Sequence, residues 1–389
     1  MFGKNRKKLL LRMLSYVLVA ALASVLTLAL WGQRYSKLAE LGAIIDKKFV
    51  GEADMEKAND AAASAMIAAL GDRWSYYIPA KDYADHLENK NNAYVGIGVT
   101  IAKRQDGTGF DIQEVTPGGS AQEAGIRPGD VLIAVDGASV KEMSTDALKD
   151  LIRGKEGTKL TVTVQRNEET LDFAVERREI KVKVATGELL EGNIGLVRIA
   201  NFNTNCAKET VALIKDLQQQ GADKLIFDVR NNPGGYVREM LQVLDFLLPE
   251  GVLYRSQDYM GREEAEYSDA ACLEMPMAVL VNGNSYSAAE FFAACLQEKD
   301  WATVVGERTT GKGHYQNTIR LSDGSAVNLS TGKYFTPGGV NLTELGGLTP
   351  DVLSQVDKQT AANIYAQLVP AGEDPQIQAA VKFLQENKG

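Results

Sequence analysis

The sequence predicts a multidomain chain: an N-terminal transmembrane helix and a helical segment, then a β-rich domain, then an α/β core. Three observations predict it. An uncharged run of 19 residues, 13–31, follows a cluster of basic residues. Between about 92 and 178, short β-like runs alternate with glycine turns. From about 180 onward, strand-like runs alternate with amphipathic helices, the pattern of βαβ units. At 389 residues the chain is too long for one ordinary domain. Its 45% hydrophobic content is enough to build real cores.

The N-terminal run is long enough to span a bilayer. Lys4, Arg6, Lys7, Lys8 and Arg12 precede it. That positive flank places the short tail in the cytoplasm and everything after Trp31 outside. The competing reading is a cleaved signal peptide, whose apolar stretch is usually shorter. The net charge is −9, and no basic stripe follows the N-terminus, so a nucleic-acid surface is not expected. Three cysteines, Cys206, Cys272 and Cys295, give neither a disulfide framework nor a metal spacing. With only His86 and His314 available, a histidine-rich metal site is excluded.

Residues 33 to about 70 show helical spacing at Leu38, Leu41, Ile44 and Ile45, then an alanine-rich stretch stopped by Gly71. Trp74, Tyr76, Tyr77 and Pro79 read as packing at a domain junction. The β-rich region carries Gly96-Ile97-Gly98-Val99, an Ala124-Gly125-Ile126-Arg127-Pro128-Gly129-Asp130 segment, and a strand at 131–135 with an Asp136-Gly137 turn. A helix over 144–152 takes Ser144 as its N-cap. A strand at 160–166 closes the unit. This run resembles a PDZ domain of the bacterial protease type. Such a domain binds a chain terminus by strand addition. The resemblance implies that amides at Gly96, Ile97 and Gly98 receive a carboxylate. Val99, Ile101, Leu148 and Ile152 would then line the side-chain pocket.

In the α/β part, strands at 194–199, 225–229 and 278–281 each run toward a corner or helix, and Asp323-Gly324 predicts a hairpin. Two strand–turn–helix corners put polar backbone at the carboxyl ends of strands, where open α/β sheets bind ligands. At the first, Arg230-Asn231-Asn232-Pro233-Gly234-Gly235, two glycine N–H groups at a helix start make an anion or oxyanion site. At the second, Asn282-Gly283-Asn284-Ser285-Tyr286-Ser287-Ala288-Ala289-Glu290, Ser287 opens a helix with the Ala288 N–H beside it. Ser287 and Glu290 also fit a capping box, and Ser285 is a rival nucleophile. Lys312 follows Ser287 by 25 positions and stands between Gly311 and Gly313, which allow close backbone approach. A neutral, buried lysine can activate a serine hydroxyl. On an extended segment Lys312, His314 and Gln316 share one face. On the residues alone the base is divided between Lys312 and His314, since a Ser–His pair is the commoner device.

The order of PDZ-like domain, DVRNNPGG, NGNSYSAAE and TTGKGHYQ resembles the C-terminal processing peptidases, the tail-specific proteases of serine peptidase family S41. The resemblance runs from about Gly71 to Val352. It implies an α/β core of the crotonase/ClpP-like kind. It also implies Ser287 as nucleophile, Lys312 as general base, Gln316 as the partner that orients it, and an oxyanion hole from Gly234, Gly235 and Ala288. No metal or organic cofactor is implied. Tyr286 and Ala289 depart from the family pattern at small or serine positions, and His314 sits where the pattern is variable.

The organisation that follows is 1–32 cytoplasmic tail and membrane anchor, 33–91 helical segment, 92–178 PDZ domain, 179–369 protease core and 370–389 C-terminal helix. The expected function is a membrane-anchored serine endopeptidase working outside the cytoplasmic membrane. Its partners would be protein substrates with exposed C-terminal tails, the membrane, and a second copy of the chain. Nucleic acid would not be among them. Two rivals remain: a non-catalytic PDZ adaptor on a protease scaffold, and a crotonase-like acyl-CoA enzyme.

Overall fold

A computed structural model of the chain describes residues 13, 15–23 and 37–386. Residues 13 and 15–23 are helical and exposed. The rest of the expected membrane span lies outside the described residues. Among the described residues no helix is long and apolar enough to cross a membrane. Two compact units divide the chain near residue 77. In the first, residues 37–48 and Met55–Ala68 are helical, with an irregular break between them where the sequence predicted a continuous helical segment. Tyr77 donates to Asp60 at 2.7 Å and Arg73 lies over the Trp74 ring at 4.1 Å. Tyr76 is 44% exposed, so this aromatic group is not the packed core it was expected to form.

The second unit contains both the β-rich domain and the α/β core. A ribbon of Ala93–Gly96 against Arg178–Lys181 forms the stem of the β-rich domain. Above it runs an antiparallel sheet in the order Val99–Lys103, Phe110–Val115, Val131–Val135, Lys159–Arg166, Glu169–Glu176. The unit therefore closes later than Arg166, because Asn167 in the left-handed region turns the chain back for a further strand. Val99–Lys103 lies at the edge of this sheet, with backbone groups open to an added strand. Ser144 caps the helix Thr145–Ile152 by accepting from the Ala147 N–H, as its side-chain type dictates. Inside are Ile97, Phe110, Leu132, Val135, Leu148, Val162 and Val164, all at most 1% exposed.

The α/β core is a six-stranded sheet in the order Ala185–Leu190, Ile194–Ile199, Lys224–Asp228, Met277–Val281, Thr303–Gly306, Val352–Leu353. The first pair is antiparallel and the others are parallel. Every residue of Met277–Val281 is buried, as a parallel strand covered on both faces requires. Period-two alternation divides its neighbours between two apolar layers. Val197, Ile199, Phe227, Val279 and Val281 face the helices Cys206–Gln219, Val237–Leu247 and Ala288–Glu298. Ile194, Leu196, Ile226, Ala278, Leu280 and Val305 face Ile377, Ala380 and Leu384 of the helix Pro375–Glu386. The C-terminal helix is thus part of the core, not an appendage to it.

A second antiparallel sheet stands beside the core. It includes the hairpin His314–Arg320 and Ala326–Phe335, which turns at Asp323-Gly324 as predicted. Ala326–Phe335 continues onto Gly251–Asp258 and Glu263–Ser268. Tyr254, Phe291 and Tyr334 meet between this sheet and the helix Ala288–Glu298, with ring centroids 5.4 to 6.0 Å apart.

Candidate active site

Three loops converge at the carboxyl edge of the parallel sheet. The first is the turn after Lys224–Asp228. Asn231 adopts φ 57°, Gly234 φ 84°, and the following helix begins at Val237. Asn232 is fully buried; its amide donates to the Ile199 carbonyl at 2.8 Å and its Oδ1 accepts from the Gly234 N–H at 2.8 Å. The Gly234 amide is therefore committed to the turn itself, which corrects the expectation that it faces an incoming oxyanion. Arg230 anchors the turn from beneath. Its guanidinium pairs with Asp228 at 2.6 Å and Asp374 at 2.9 Å, and bonds to Gln376 at 2.8 Å.

The second loop carries Ser287. It leaves Met277–Val281 and enters the helix Ala288–Glu298 through a residue held at φ 60°, ψ −127°. A non-glycine residue in that region is strained, and strain at a strand-to-helix corner is how a nucleophilic serine is pushed out of the backbone. The capping-box reading fails. Ser287 makes no cap bond, and Glu290 turns away from the helix start. Ser285 is not a nucleophile candidate either. It is fully buried, its hydroxyl donates to the Val229 carbonyl at 2.7 Å and it accepts from the Asn282 N–H at 3.0 Å. Both residues look alike in sequence, and only the turn geometry separates them.

These two corners are in van der Waals contact. A Cβ on Gly234 would fall 2.7 Å from the Ser287 Cβ and 2.8 Å from the Ala288 nitrogen. Glycine is needed there, both for that approach and for its positive φ. Polar bonds join the same corners: Asn231 N–H to Asn282 Oδ1 at 2.9 Å, Asn282 Nδ2 to Asn231 Oδ1 at 3.0 Å, and Tyr286 N–H to the Asn232 carbonyl at 3.2 Å. Ala288 is the first residue of its helix, where an N–H has no intrahelical acceptor.

The third loop holds Lys312, which is 8% exposed. Thr310 ties it to the serine loop, through its N–H to the Ser285 carbonyl at 3.2 Å and its hydroxyl to the Gly283 carbonyl at 2.7 Å. Glu290, fully buried one turn into the serine helix, accepts from Gly311 N–H at 2.7 Å, from Lys312 N–H at 2.9 Å and from the Thr309 hydroxyl. Burial pushes the Glu290 carboxyl up, and those donors pull against it. Both flanking glycines are sterically required. A Cβ on Gly311 would strike the Gly347 nitrogen at 2.8 Å, and one on Gly313 would strike Asn341 Oδ1 at 2.2 Å. Asn341, itself buried, donates to the carbonyls of Gly313 and Tyr334.

The Lys312 Nζ lies 6.0 Å from the centroid of the Tyr286 ring. His314 opens the strand His314–Arg320, half-buried. Gln316 lies just after a register shift, and its amide donates to the His314 carbonyl and to Ser330 Oγ, each at 3.0 Å. The sequence expected Gln316 to orient Lys312; the donations described for it go to these two oxygens instead. Among the described residues no group of three or more His, Cys, Asp or Glu is placed to hold a metal ion.

In the β-rich domain, Gly98 takes φ 77° with Thr116 atoms 3.0 to 3.1 Å from where a Cβ would stand, so only glycine suits it. The Ile97 carbonyl accepts from the Ala121 N–H at 3.0 Å, and the Gly98 carbonyl accepts from the Thr116 N–H at 2.9 Å. Val99 and Ile101 are half-buried on the edge strand, while Leu148 and Ile152 are already within the domain core. A bound tail would meet Val99 and Ile101 first.

A model of peptidase family S41 matches residues 193–354, which contain all three loops, and a PDZ domain model matches 112–166. The carboxy-terminal processing protease CtpA of Bacillus subtilis (strain 168) is 31% identical over 359 residues, 87% of this chain and 76% of that protein. The chain belongs to peptidase family S41. A probable CtpA-like serine protease of Staphylococcus aureus (strain N315) is 30% identical over 335 residues. That alignment covers 85% of this chain, and the chain spans 66% of that relative's length. Among solved structures, a photosystem II D1 C-terminal processing protease is 28% identical, with 90% of this chain and 91% of that one covered and a TM-score of 0.49.

Asn341 escaped the sequence reading of this S41 site, and Glu290, Asn232 and Arg230 stood in its two corners without the partners they take. Glu290 was visible but resembled a cap. Asn341 carries no local signal, since its partners lie 7 and 28 residues away.

Proposed function

We propose that this S41 chain is a serine endopeptidase that takes protein C-terminal tails on its PDZ domain and cleaves through an acyl-enzyme on Ser287. One observation carries the reading. Ser287 stands in a strained elbow against the Gly234 turn, and the helix it opens grips the Lys312 loop through Glu290. The Ser287 proton passes to a neutral Lys312 amine as Oγ attacks the scissile carbonyl. The oxyanion is met by the N–H groups of Gly235 and Ala288. The lysine returns the proton to the leaving amine, and water then hydrolyses the ester. The Bacillus subtilis relative, named as a carboxy-terminal processing protease, supports the substrate class.

The PDZ domain would deliver the tail or hold the site until a tail docks. The helix end that leads into its stem is bonded to the loop before Cys206 by Asn92 to Asn201 at 3.1 Å and by Asn203 to the Asn89 carbonyl at 3.0 Å. That loop pairs with Gly235 through Phe202. The basic N-terminus and the apolar run support a membrane anchor with the catalytic part outside, and a second copy of the chain remains a candidate partner. External protease should digest residues 32 onward in intact spheroplasts; protection of that part overturns the compartment.

The test of activity is incubation of the full chain in detergent with a reporter protein ending in an apolar tail. The wild type should cleave the reporter and accept a fluorophosphonate on Ser287. Ser287→Ala should do neither while still retaining the tail; in other serine proteases such a loss costs roughly 10⁶-fold in kcat. Cleavage by Ser287→Ala at the wild-type rate overturns the assignment. Tail binding without cleavage or labelling by the wild type identifies the adaptor instead.

A further inference from the structure

Tyr334 was not singled out by the sequence, yet it touches the Lys312 loop and the helix that Ser287 opens. It lies on the strand Ala326–Phe335 and is 4% exposed. Its ring packs against those of Tyr254 and Phe291, with centroids 6.0 and 5.5 Å away. Phe291 belongs to the serine helix, so the ring is fixed relative to Ser287. The Tyr334 N–H donates to the Gly313 carbonyl at 3.1 Å, and its own carbonyl accepts from Asn341 Nδ2 at 2.8 Å. A buried phenol must satisfy its oxygen and proton internally. The Tyr334 hydroxyl donates to the Lys312 carbonyl.

We propose that Tyr334 is a positioning residue of the Ser–Lys pair, its phenol holding the Lys312 loop by donating to the Lys312 carbonyl while its ring packs on Phe291 of the helix that Ser287 opens. The proposal rests on the Ser287–Lys312 reading and adds a third member to it. The phenol has one proton, which it donates to the Lys312 carbonyl. Burial raises the phenol's titration well above its ordinary value, so Tyr334 stays neutral and is not itself the base. Before attack it holds the lysine loop against the serine helix. As the Oγ–carbon bond forms, the serine proton passes to Nζ, the amine becomes an ammonium, and the scissile C=O becomes the oxyanion. The phenol keeps its own proton throughout.

Tyr334→Phe keeps the ring packing and removes only the hydroxyl. Expected is a fall in kcat of about 10- to 100-fold with KM unchanged, the scale at which small misplacements of reacting groups act. Fluorophosphonate labelling of Ser287 should slow in parallel. Tyr254→Phe removes a phenol from the same aromatic group and should leave both rates alone. A merely structural role for Tyr334 would lower the melting temperature and spare kcat well below it. Wild-type kcat and labelling in Tyr334→Phe overturn the proposal. If that variant does not fold, 3-fluorotyrosine placed at position 334 of the full chain decides. Its fluorine resonance should shift when Ser287 is phosphonylated, whereas the same probe at position 254 should not; an unshifted resonance at 334 overturns the proposal. A wild type that neither cleaves nor labels takes down the Ser–Lys reading itself, a distinct result from an active wild type matched by Tyr334→Phe.

Discussion

Glu290 stands three residues after Ser287, where a capping box places the carboxylate that returns to the helix start. It turns instead to the Lys312 loop, because Thr309, Gly311 and Lys312 present donors to it where it is fully buried. Glu290→Gln keeps the volume but turns an NH₂ group toward those donors. It should cost about 1.5–3 kcal/mol in denaturant unfolding and lower kcat with it. The pH dependence has a definite sign. Burial raises the folded-state titration of Glu290 above its ordinary 4.5. Its contribution to stability is then complete below 4.5 and is lost as pH rises through the folded value. The Gln variant does not titrate there. The stability gap between wild type and variant should therefore be larger on the acid side of that window and smaller above it, as read from denaturant midpoints; a gap that widens with pH contradicts the burial argument. At the residue scale the sequence supplied identities without directions. Ser285 and Ser287 are both serines in one turn, and only φ separates a buried strut from the half-buried residue proposed as nucleophile. Gly311 and Gly313 were legible because a close approach leaves a glycine behind it.

Among the elements, the sequence sets residues 370–389 apart as a C-terminal helix, and the helix Pro375–Glu386 forms there. Its start reaches the first corner of the site through Asp374 and Gln376, which hold Arg230 at 2.9 and 2.8 Å. Arg230 and Asp374 side chains are each 3% exposed, so removing one partner leaves a charge buried with less compensation. Asp374→Ala should destabilise the chain by about 3–5 kcal/mol in urea unfolding; an unchanged midpoint would mean that Asp228 alone satisfies the arginine. The PDZ domain was the most legible element, because its Ser144 cap, its Asp136-Gly137 turn and its obligate Gly98 are each set by local chemistry. The strand Glu169–Glu176 was missed because the Arg166-Asn167 turn carries no glycine. On the edge strand Val99–Lys103, a tail peptide with a free carboxylate should bind much more tightly than its amidated form. Equal affinity by calorimetry would show that Gly96, Ile97 and Gly98 do not receive a terminus.

Across the whole molecule, the linear order of PDZ domain, arginine turn, serine corner and lysine loop was readable, because each carries a short motif. What the sequence withheld is how they are fastened: Asn341, Tyr334, Asn232 and Arg230 act across 2 to 146 residues of chain, and no spacing rule announces them. The parallel sheet makes the convergence possible by bringing two strand ends and the Lys312 loop to one edge. The central claim is that Lys312, not His314, is the base for Ser287. The most direct measurement is kcat of Lys312→Ala and His314→Ala on one tailed reporter, with each fold checked by circular dichroism. The account predicts that Lys312→Ala loses turnover by at least about 10²–10⁴-fold, the usual cost of a general base, and that His314→Ala keeps most of it. It also predicts wild-type activity rising toward alkaline pH, not levelling near a histidine value of about 6.5. A folded Lys312→Ala with normal turnover beside a dead His314→Ala would contradict it and make Ser287–His314 the working pair.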